Sequence, residues 1–100
     1  MERLPNIHPG EILQLDFLEP MQITRESLAE SIDLPMGQVQ GIVEGKYAVT
    51  ADIALRLGRF FSMDPRFWMN LQARYDLEEA LLQGSDAYSR ISASDQVLAA

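Results

Sequence analysis

The sequence predicts an all-α fold, a compact bundle of five helices, and three observations support that prediction. One helix-start pattern occurs five times: an apolar residue precedes a capping position, and another follows five residues later, as in the hydrophobic staple. Apolar residues after each start recur at the spacing of a buried helical face. No stretch shows the strict alternation of a half-buried strand. The staple pairs are Ile7 and Ile12, Ile23 and Leu28, Leu34 and Val39, Val49 and Ala54, and Met63 and Trp68.

The first two helices have recognisable beginnings. The first is predicted over residues 9–19 and follows His8, with a proline in its first position, where a missing N–H costs nothing. Pro20 is its expected stop. The second is predicted over residues 25–32 and follows Thr24, a residue type whose hydroxyl commonly caps helices.

The third helix is predicted over residues 36–44 and follows Pro35, a weaker cap. Gly45 supplies its stop. Its apolar residues recur at the spacing of one buried face, and they are Val39, Ile42 and Val43.

The last two helices are predicted over residues 51–62 and 65–83. Thr50 and Asp64 are good capping residues for them. The fourth helix is apolar around much of its circumference, which is typical of a central helix. Gly84 is the expected stop of the fifth.

From Gly84 onward, serine and small residues dominate and no apolar stripe continues. Chain ends without a buried face usually fray. We therefore expect a folded domain over residues 1–83 and a loosely ordered polar tail over residues 84–100. Val97 and Leu98 leave open a helix that forms on binding a partner.

Composition narrows the possible functions. Eight basic residues stand against fifteen acidic ones, a net charge of −7, which disfavours broad affinity for nucleic acid and suits a basic protein partner. The chain has no cysteine and one histidine, so a metal site or a catalytic triad has few candidate residues. We expect no metal, no cofactor, no small-molecule substrate and no enzymatic activity. Without a signal peptide or membrane span at its start, the chain is predicted to be cytoplasmic.

Residues 24–46 have the outline of a helix-turn-helix. A short helix with Leu28 and Ala29 inward meets a tight turn and a second helix with Val39 and Ile42 inward. The small Ala29 lets the two helix axes approach closely. In this motif the second helix lies in the major groove of DNA. The alternative is a pair of packed helices with no role in DNA binding.

Four segments then narrow the interpretation: HPGEIL, FLEP, GKYAVTADIALRLGRFF and FWMNLQARYDLE, in this order within residues 7–80. Together they resemble the HigA-type antitoxins, also called virulence-associated protein I, of the xenobiotic-response-element-like helix-turn-helix family. The resemblance implies a lambda-repressor-like domain that forms a homodimer, binds operator DNA and represses its own operon. It also implies a basic, HigB-like, mRNA-cleaving toxin as the partner that the protein neutralises.

The resemblance assigns base contact to the third predicted helix. Relatives typically carry arginines there, whereas this chain has Met36, Gln38 and Gln40. A glutamine can bond adenine through two hydrogen bonds, and a methionine can contact a thymine methyl group. The alternative is solvated surface glutamines. Gly37 and Gly41 are expected to weaken the helix by roughly 1 kcal/mol each.

Phosphate contact is expected from Arg25, Lys46, Tyr47 and Thr50. Arg25 begins the second helix, where a cation and the helix-start amides can both face a phosphate. Its alternative role is an ion pair with a nearby carboxylate. Lys46 and Tyr47 follow the recognition helix, and Thr50 has helix capping as its simpler role.

The fifth helix is the candidate dimer interface. Aromatic residues at helical spacing are also explained by a core, and polar ones by solvent. The candidate interface residues are Trp68, Asn70, Gln72, Arg74 and Tyr75.

Three functions remain open from the sequence. The first is an antitoxin that represses its own operon. The second is an acidic protein-interaction module of the same fold with weak or lost DNA binding. The third is a stand-alone transcriptional regulator.

Overall fold

The computed structural model describes residues 6–95, and within that range all regular structure is helical. The predicted all-α bundle of five helices is confirmed. We number the helices in chain order: α1 covers residues 9–21, α2 Arg25–Ser31, α3 Met36–Val43, α4 Ala51–Phe61 and α5 Arg66–Ser89. None of the helices in residues 6–95 has both the length and the apolar character needed to cross a membrane.

The first helix, α1, changes its winding along its length. Its consecutive segments are α-helical Pro9–Ile12, π-helical Leu13–Leu18 and α-helical Glu19–Met21. In the π turn, the Glu19 N–H donates to the carbonyl of Gln14. A proline inside an α-helix lacks a donor and its ring collides with the carbonyl four residues earlier; a wider turn before Pro20 is one geometry that relieves this. The expected stop at Pro20 is therefore wrong, and α1 ends where Gln22 adopts a φ of 56°.

Side chains cap the first turns of three later helices, as predicted. The Thr24 hydroxyl accepts a hydrogen bond from the Ser27 N–H at 3.0 Å. The Thr50 hydroxyl accepts one from the Ile53 N–H at 3.3 Å. The Asp64 carboxylate accepts one from the first backbone N–H of α5 at 2.9 Å.

The turn between α2 and α3 is held by a side chain from α4. Asp33 in this turn has a left-handed φ of 58°. The Arg56 Nη1 donates to the carbonyl oxygens of Ile32 at 2.8 Å and Asp33 at 3.1 Å, and its Nε donates to Asp52 at 2.9 Å. Because one guanidinium joins three acceptors, α4 fixes the geometry of the helix-turn-helix.

The core draws residues from all five helices. Trp68 is completely buried, with the rings of Phe17 and Phe67 each 5.1 Å from it, centroid to centroid. The predicted inward residues of α2 and α3 are all in this core. The buried apolar residues are Leu13, Leu18, Leu28, Ala29, Ile32, Val39, Ile42, Val43, Val49, Ile53, Ala54, Leu57 and Trp68.

The last helix, α5, is longer than predicted. It continues through Gly84, whose φ of −131° and ψ of 21° are not helical, and ends at Ser89. A glycine adopts such a conformation at little cost, so the helix resumes on the far side of the kink. The regular helix is thus interrupted at Gly84, where its stop was predicted, and the prediction missed the exposed helical segment that continues to Ser89. Residues 96–100, including Val97 and Leu98, lie outside the described residues.

The start of α1 crosses the end of α3 at a buried glycine, Gly10. A Cβ at this position would lie 1.8 Å from the carbonyl oxygen of Ile42 and 2.9 Å from the Cα of Val43. Such distances are far inside van der Waals contact with backbone that cannot move aside cheaply. Residue 10 must therefore lack a side chain for the two helices to cross here.

Replacing Gly10 tests this crossing. We expect Gly10→Ala to lower the free energy of unfolding by about 1–3 kcal/mol or more, because the added methyl group collides with backbone. Gly37→Ala is the matched control, since a Cβ at residue 37 has nothing within 4 Å; we expect it to raise the free energy of unfolding by up to about 1 kcal/mol. Urea unfolding at one protein concentration measures both. Equal stability of the two variants would contradict the crossing.

Candidate nucleic-acid interface

The recognition helix α3 presents different residues in different directions. At about 100° per residue, Gly37, Gly41 and Glu44 lie furthest from its buried apolar side; Gly37 and Glu44 are exposed, whereas Gly41 is buried. Gln38 and Gln40 lie on the two flanks, about 160° apart, and both are half-buried. If α3 lay in the major groove of DNA, the side that carries Gly37 and Glu44 would face the base edges. Gln38 and Gln40 would then face opposite walls of the groove.

The two glycines of α3 have different surroundings. A Cβ on Gly37 would meet nothing within 4 Å, so the backbone there is open to close approach by a ligand. A Cβ on Gly41 would lie 2.2 Å from Cδ2 of the Tyr47 ring. Gly41 therefore provides the surface on which Tyr47 packs, a role that its effect on helix stability does not reveal.

One carboxylate, that of Glu44, connects two of the predicted DNA-contacting side chains. The Gln40 Nε2 donates a hydrogen bond to it, and the Lys46 Nζ lies 3.1 Å from it. These hydrogen bonds, and the charges of Lys46 and Arg25, hold the pKa of Glu44 below its ordinary value. Glu44 is therefore ionised at neutral pH, and it forms a solvent-exposed ion pair with Lys46.

Arg25 is fixed by a side chain that the sequence analysis did not consider. Its Nε donates to the Oε1 of Gln14 in α1 at 3.1 Å, and the Gln14 Nε2 donates in turn to Glu19 at 3.1 Å. This chain of hydrogen bonds ties the half-buried Arg25, the first residue of α2, to α1. The predicted pairing of Arg25 with a neighbouring carboxylate is replaced by this indirect link through Gln14.

The other predicted contacts lie around the ends of α3. Met36 is half-buried and packs against the core at its start. The Tyr47 side chain is 55% exposed beyond its end. Thr50 is exposed, and its hydroxyl caps α4. The structure thus brings Arg25, Lys46 and Glu44 close enough to interact and leaves Thr50 at the neighbouring helix start.

A buried glutamine, Gln72, fixes the segment that follows α3. Its Oε1 accepts from the Val49 N–H at 2.7 Å, and its Nε2 donates to Asp76 at 2.9 Å. The contact spans 23 residues of sequence, so no local pattern signals it. Through this bond, α5 positions the segment that carries Lys46 and Tyr47.

Residues of the predicted dimer interface divide into two groups. Trp68 and Gln72 are buried within this chain, and the Tyr75 ring packs edge-on against His8 at 4.8 Å. Asn70 and Arg74 are exposed. Of these five residues, Asn70 and Arg74 are therefore the ones available to a second chain, because the other three contact the interior of their own chain.

His8 joins α1, α5 and the segment after α3. Its Nδ1 accepts a hydrogen bond from the Gly10 N–H at 2.9 Å, which confirms its predicted capping role. Burial lowers the pKa of His8, although the charges of Glu11 and Asp76 and a hydrogen bond with the Tyr47 backbone partly offset this. The capping nitrogen accepts only while it carries no proton, so this contact requires neutral His8.

Comparison with known proteins decides the family. No protein-family model matches the chain. Virulence-associated protein I of Dichelobacter nodosus is 42% identical over 77 residues, which are 77% of this chain and 71% of that protein. The structure of Pseudomonas aeruginosa antitoxin HigA, solved with the higBA promoter, matches at a TM-score of 0.85 and 34% identity, covering 93% of this chain and 100% of that one. The chain belongs to the HigA family of helix-turn-helix antitoxins.

Other HigA relatives agree with this assignment. Antitoxin HigA-1 of Vibrio cholerae is 38% identical over 68 residues, which are 68% of this chain and 64% of that protein. The predicted resemblance is therefore confirmed, and α2 and α3 are the helix-turn-helix of a HigA-type protein.

The role of His8 predicts how stability depends on pH. The unfolded chain takes up a proton at the ordinary pKa of 6.5, whereas the folded chain resists it because the pKa is lowered. Protonation therefore favours the unfolded state, and the free energy of unfolding should fall as pH decreases below 6.5. We expect His8→Asn, which keeps a capping acceptor without a titrating ring, to show a smaller fall. Urea unfolding between pH 5.5 and 7.5 measures this, and equal pH dependence in the two proteins would rule out the role of His8.

Proposed function

We propose that this chain is an antitoxin that represses its own operon by binding operator DNA through α3, and that it neutralises a basic, HigB-like toxin. The observation that supports the repressor function is the outward face of α3, which is open at Gly37, carries the Tyr47 ring over Gly41, and is flanked by two glutamines. The likeness to a HigA antitoxin solved with its promoter supports the same function.

Phosphate contact in this proposal comes from a few fixed groups rather than from overall charge. Arg25 is positioned by Gln14, and Lys46 and Tyr47 stand on a segment held by Gln72. The backbone amides at the starts of α2 and α4 add favourable dipoles for phosphates. Local positive groups of this kind allow DNA binding by a chain with a net charge of −7, at an affinity that depends on dimerisation or on a partner.

Base reading in this proposal is assigned first to Gln38. Gln40 is already bonded to Glu44, whereas no hydrogen bond within residues 6–95 engages the Gln38 side chain. A free amide can bond N6 and N7 of adenine together. Met36 covers the helix start and is placed for contact with a thymine methyl group.

Homodimer formation in this proposal uses the second half of α5. Leu77, Leu81, Leu82 and Tyr88 are between 46% and 67% exposed there. Apolar side chains this large, close together on one helix, are typical of a surface that another protein covers. A two-fold dimer would set two α3 helices at half-sites about 34–36 Å apart.

One observation favours the second candidate function, an acidic interaction module with weak DNA binding. The Glu44 carboxylate accepts a hydrogen bond from Gln40 and pairs with Lys46, so DNA would have to compete for both side chains. In this alternative the toxin is the main partner. Co-purification with the product of the neighbouring gene, together with a Gln38→Ala variant that changes nothing on DNA, would favour it.

The repressor function predicts a base-specific loss at Gln38. We expect Gln38→Ala to weaken binding to a duplex from the chain's own promoter by about 5- to 150-fold, the discrimination that a two-bond contact typically provides. Gln83→Ala, which removes an exposed glutamine on α5, should bind as the unchanged protein does. Fluorescence anisotropy at low salt measures both. Unchanged affinity in Gln38→Ala would contradict base reading by this residue.

The proposed dimer predicts that a charged residue on its apolar face lowers the mass of the protein in solution. We expect Leu81→Lys to sediment as a monomer at a concentration at which the unchanged protein is a dimer, because two buried ammonium groups would face each other. Gln83→Lys places the same charge two residues away and should leave the mass unchanged. Circular dichroism establishes that both variants remain folded. A dimeric Leu81→Lys protein would exclude this surface as the interface.

A further inference from the structure

Glu44 directly follows the last residue of α3 and continues the outward side of this helix. Gly37, on the same side, has no side chain, and Gly41 is covered by the Tyr47 ring. Glu44 therefore presents an exposed anion on the side of α3 that would face a ligand.

The Glu44 carboxylate is held in place before DNA arrives. The Gln40 amide donates to it from one helical turn earlier, and the Lys46 ammonium lies 3.1 Å away on the other side. Two donors from different parts of the chain restrict the rotation of this side chain. The carboxylate is thus positioned and charged, with remaining oxygen lone pairs available to a third donor.

Few groups in the major groove can donate a hydrogen bond to such a carboxylate. It has no proton to give, so it is repelled by the acceptors of guanine, by O4 of thymine and by phosphates. Adenine presents its N6 donor beside the N7 acceptor, whereas cytosine presents its N4 amino group without an acceptor of its own alongside. A carboxylate at this position therefore favours cytosine.

We propose that Glu44 is a specificity-determining residue of the α3 interface, accepting a hydrogen bond from the N4 amino group of a cytosine in each half-site, with Gln40 and Lys46 positioning its carboxylate. This inference rests on the proposed DNA-binding function of α3. In this proposal the charge of Glu44 also has a second effect. It offsets the charge of Lys46 and repels phosphates, so DNA without the cytosine is bound weakly.

Selection from a pool of randomised DNA duplexes tests the assignment without knowledge of the operator. The unchanged protein should enrich a motif with cytosine at one position per half-site. Glu44→Gln keeps the size of the side chain but adds a donor and removes the charge, so we expect this cytosine preference to be lost while the other positions of the motif remain. Asp86→Asn removes one negative charge from an exposed position on α5 and should leave the motif unchanged.

Binding measurements on the selected duplex make the expectation quantitative. By fluorescence anisotropy, replacing that cytosine by thymine should weaken binding of the unchanged protein about tenfold and of Glu44→Gln less than twofold. Glu44→Gln should also bind a random duplex more tightly, with a salt dependence steeper by about 0.9 per protomer, because Lys46 is freed to contact phosphate. Thermal unfolding establishes that both variants are folded.

The possible results separate the two proposals. If the unchanged protein and Glu44→Gln enrich the same motif, with affinity raised equally for all sequences, Glu44 only screens Lys46 and the specificity role is overturned. If the unchanged protein enriches no motif at low salt, DNA binding by α3 fails and the role of Glu44 fails with it.

Discussion

The start of α1 lies directly on the backbone at the end of α3, and the geometry of the interface depends on that contact. Residue 10 has no room for a side chain, since a Cβ would lie 1.8 Å from the Ile42 carbonyl oxygen. The crossing places His8 next to Gly45, where α3 ends with a φ of 78°. The segment beyond Gly45 is then held from α5 by Gln72. The recognition helix is thus fixed at its far end by α1 and α5, and at its near end by Arg56 on the turn before it.

A fixed helix explains how an acidic HigA-type chain can present a surface for DNA. The number of cations matters less than where they are held, because a phosphate responds to groups within a Debye length of about 10 Å. Arg25 is tied to α1 through Gln14, and Lys46 stands on the segment that Gln72 holds. Glu44 interacts electrostatically with both and offsets part of their charge. Such a surface has little general attraction for DNA and depends on matched hydrogen bonds.

The sequence predicted the features that local patterns control, and missed those that depend on distant residues. The hydroxyl caps at Thr24 and Thr50 and the buried face of α3 were predicted because each depends on residues within one or two helical turns. The winding of α1 was missed because Pro20 indicates a stop, and the alternative depends on the packing of the whole helix. The bond from Gln72 to Val49 and the packing of Tyr47 on Gly41 involve tertiary contacts. Glu44 did have a local signal, since it stands four residues after Gln40 and two before Lys46, and this spacing could have identified the cluster.

The central claim is that α3 is the surface of this acidic chain that contacts DNA. Its most direct test is to map amide chemical shifts while the protein is titrated with an operator duplex. At about 100 residues, the protein is well suited to this measurement. We expect the largest changes in chemical shift in residues 36–47. Further changes should occur at the starts of α2 and α4, and small ones on the second half of α5. Large changes confined to α5, with residues 36–47 unaffected by saturating operator, would contradict this claim.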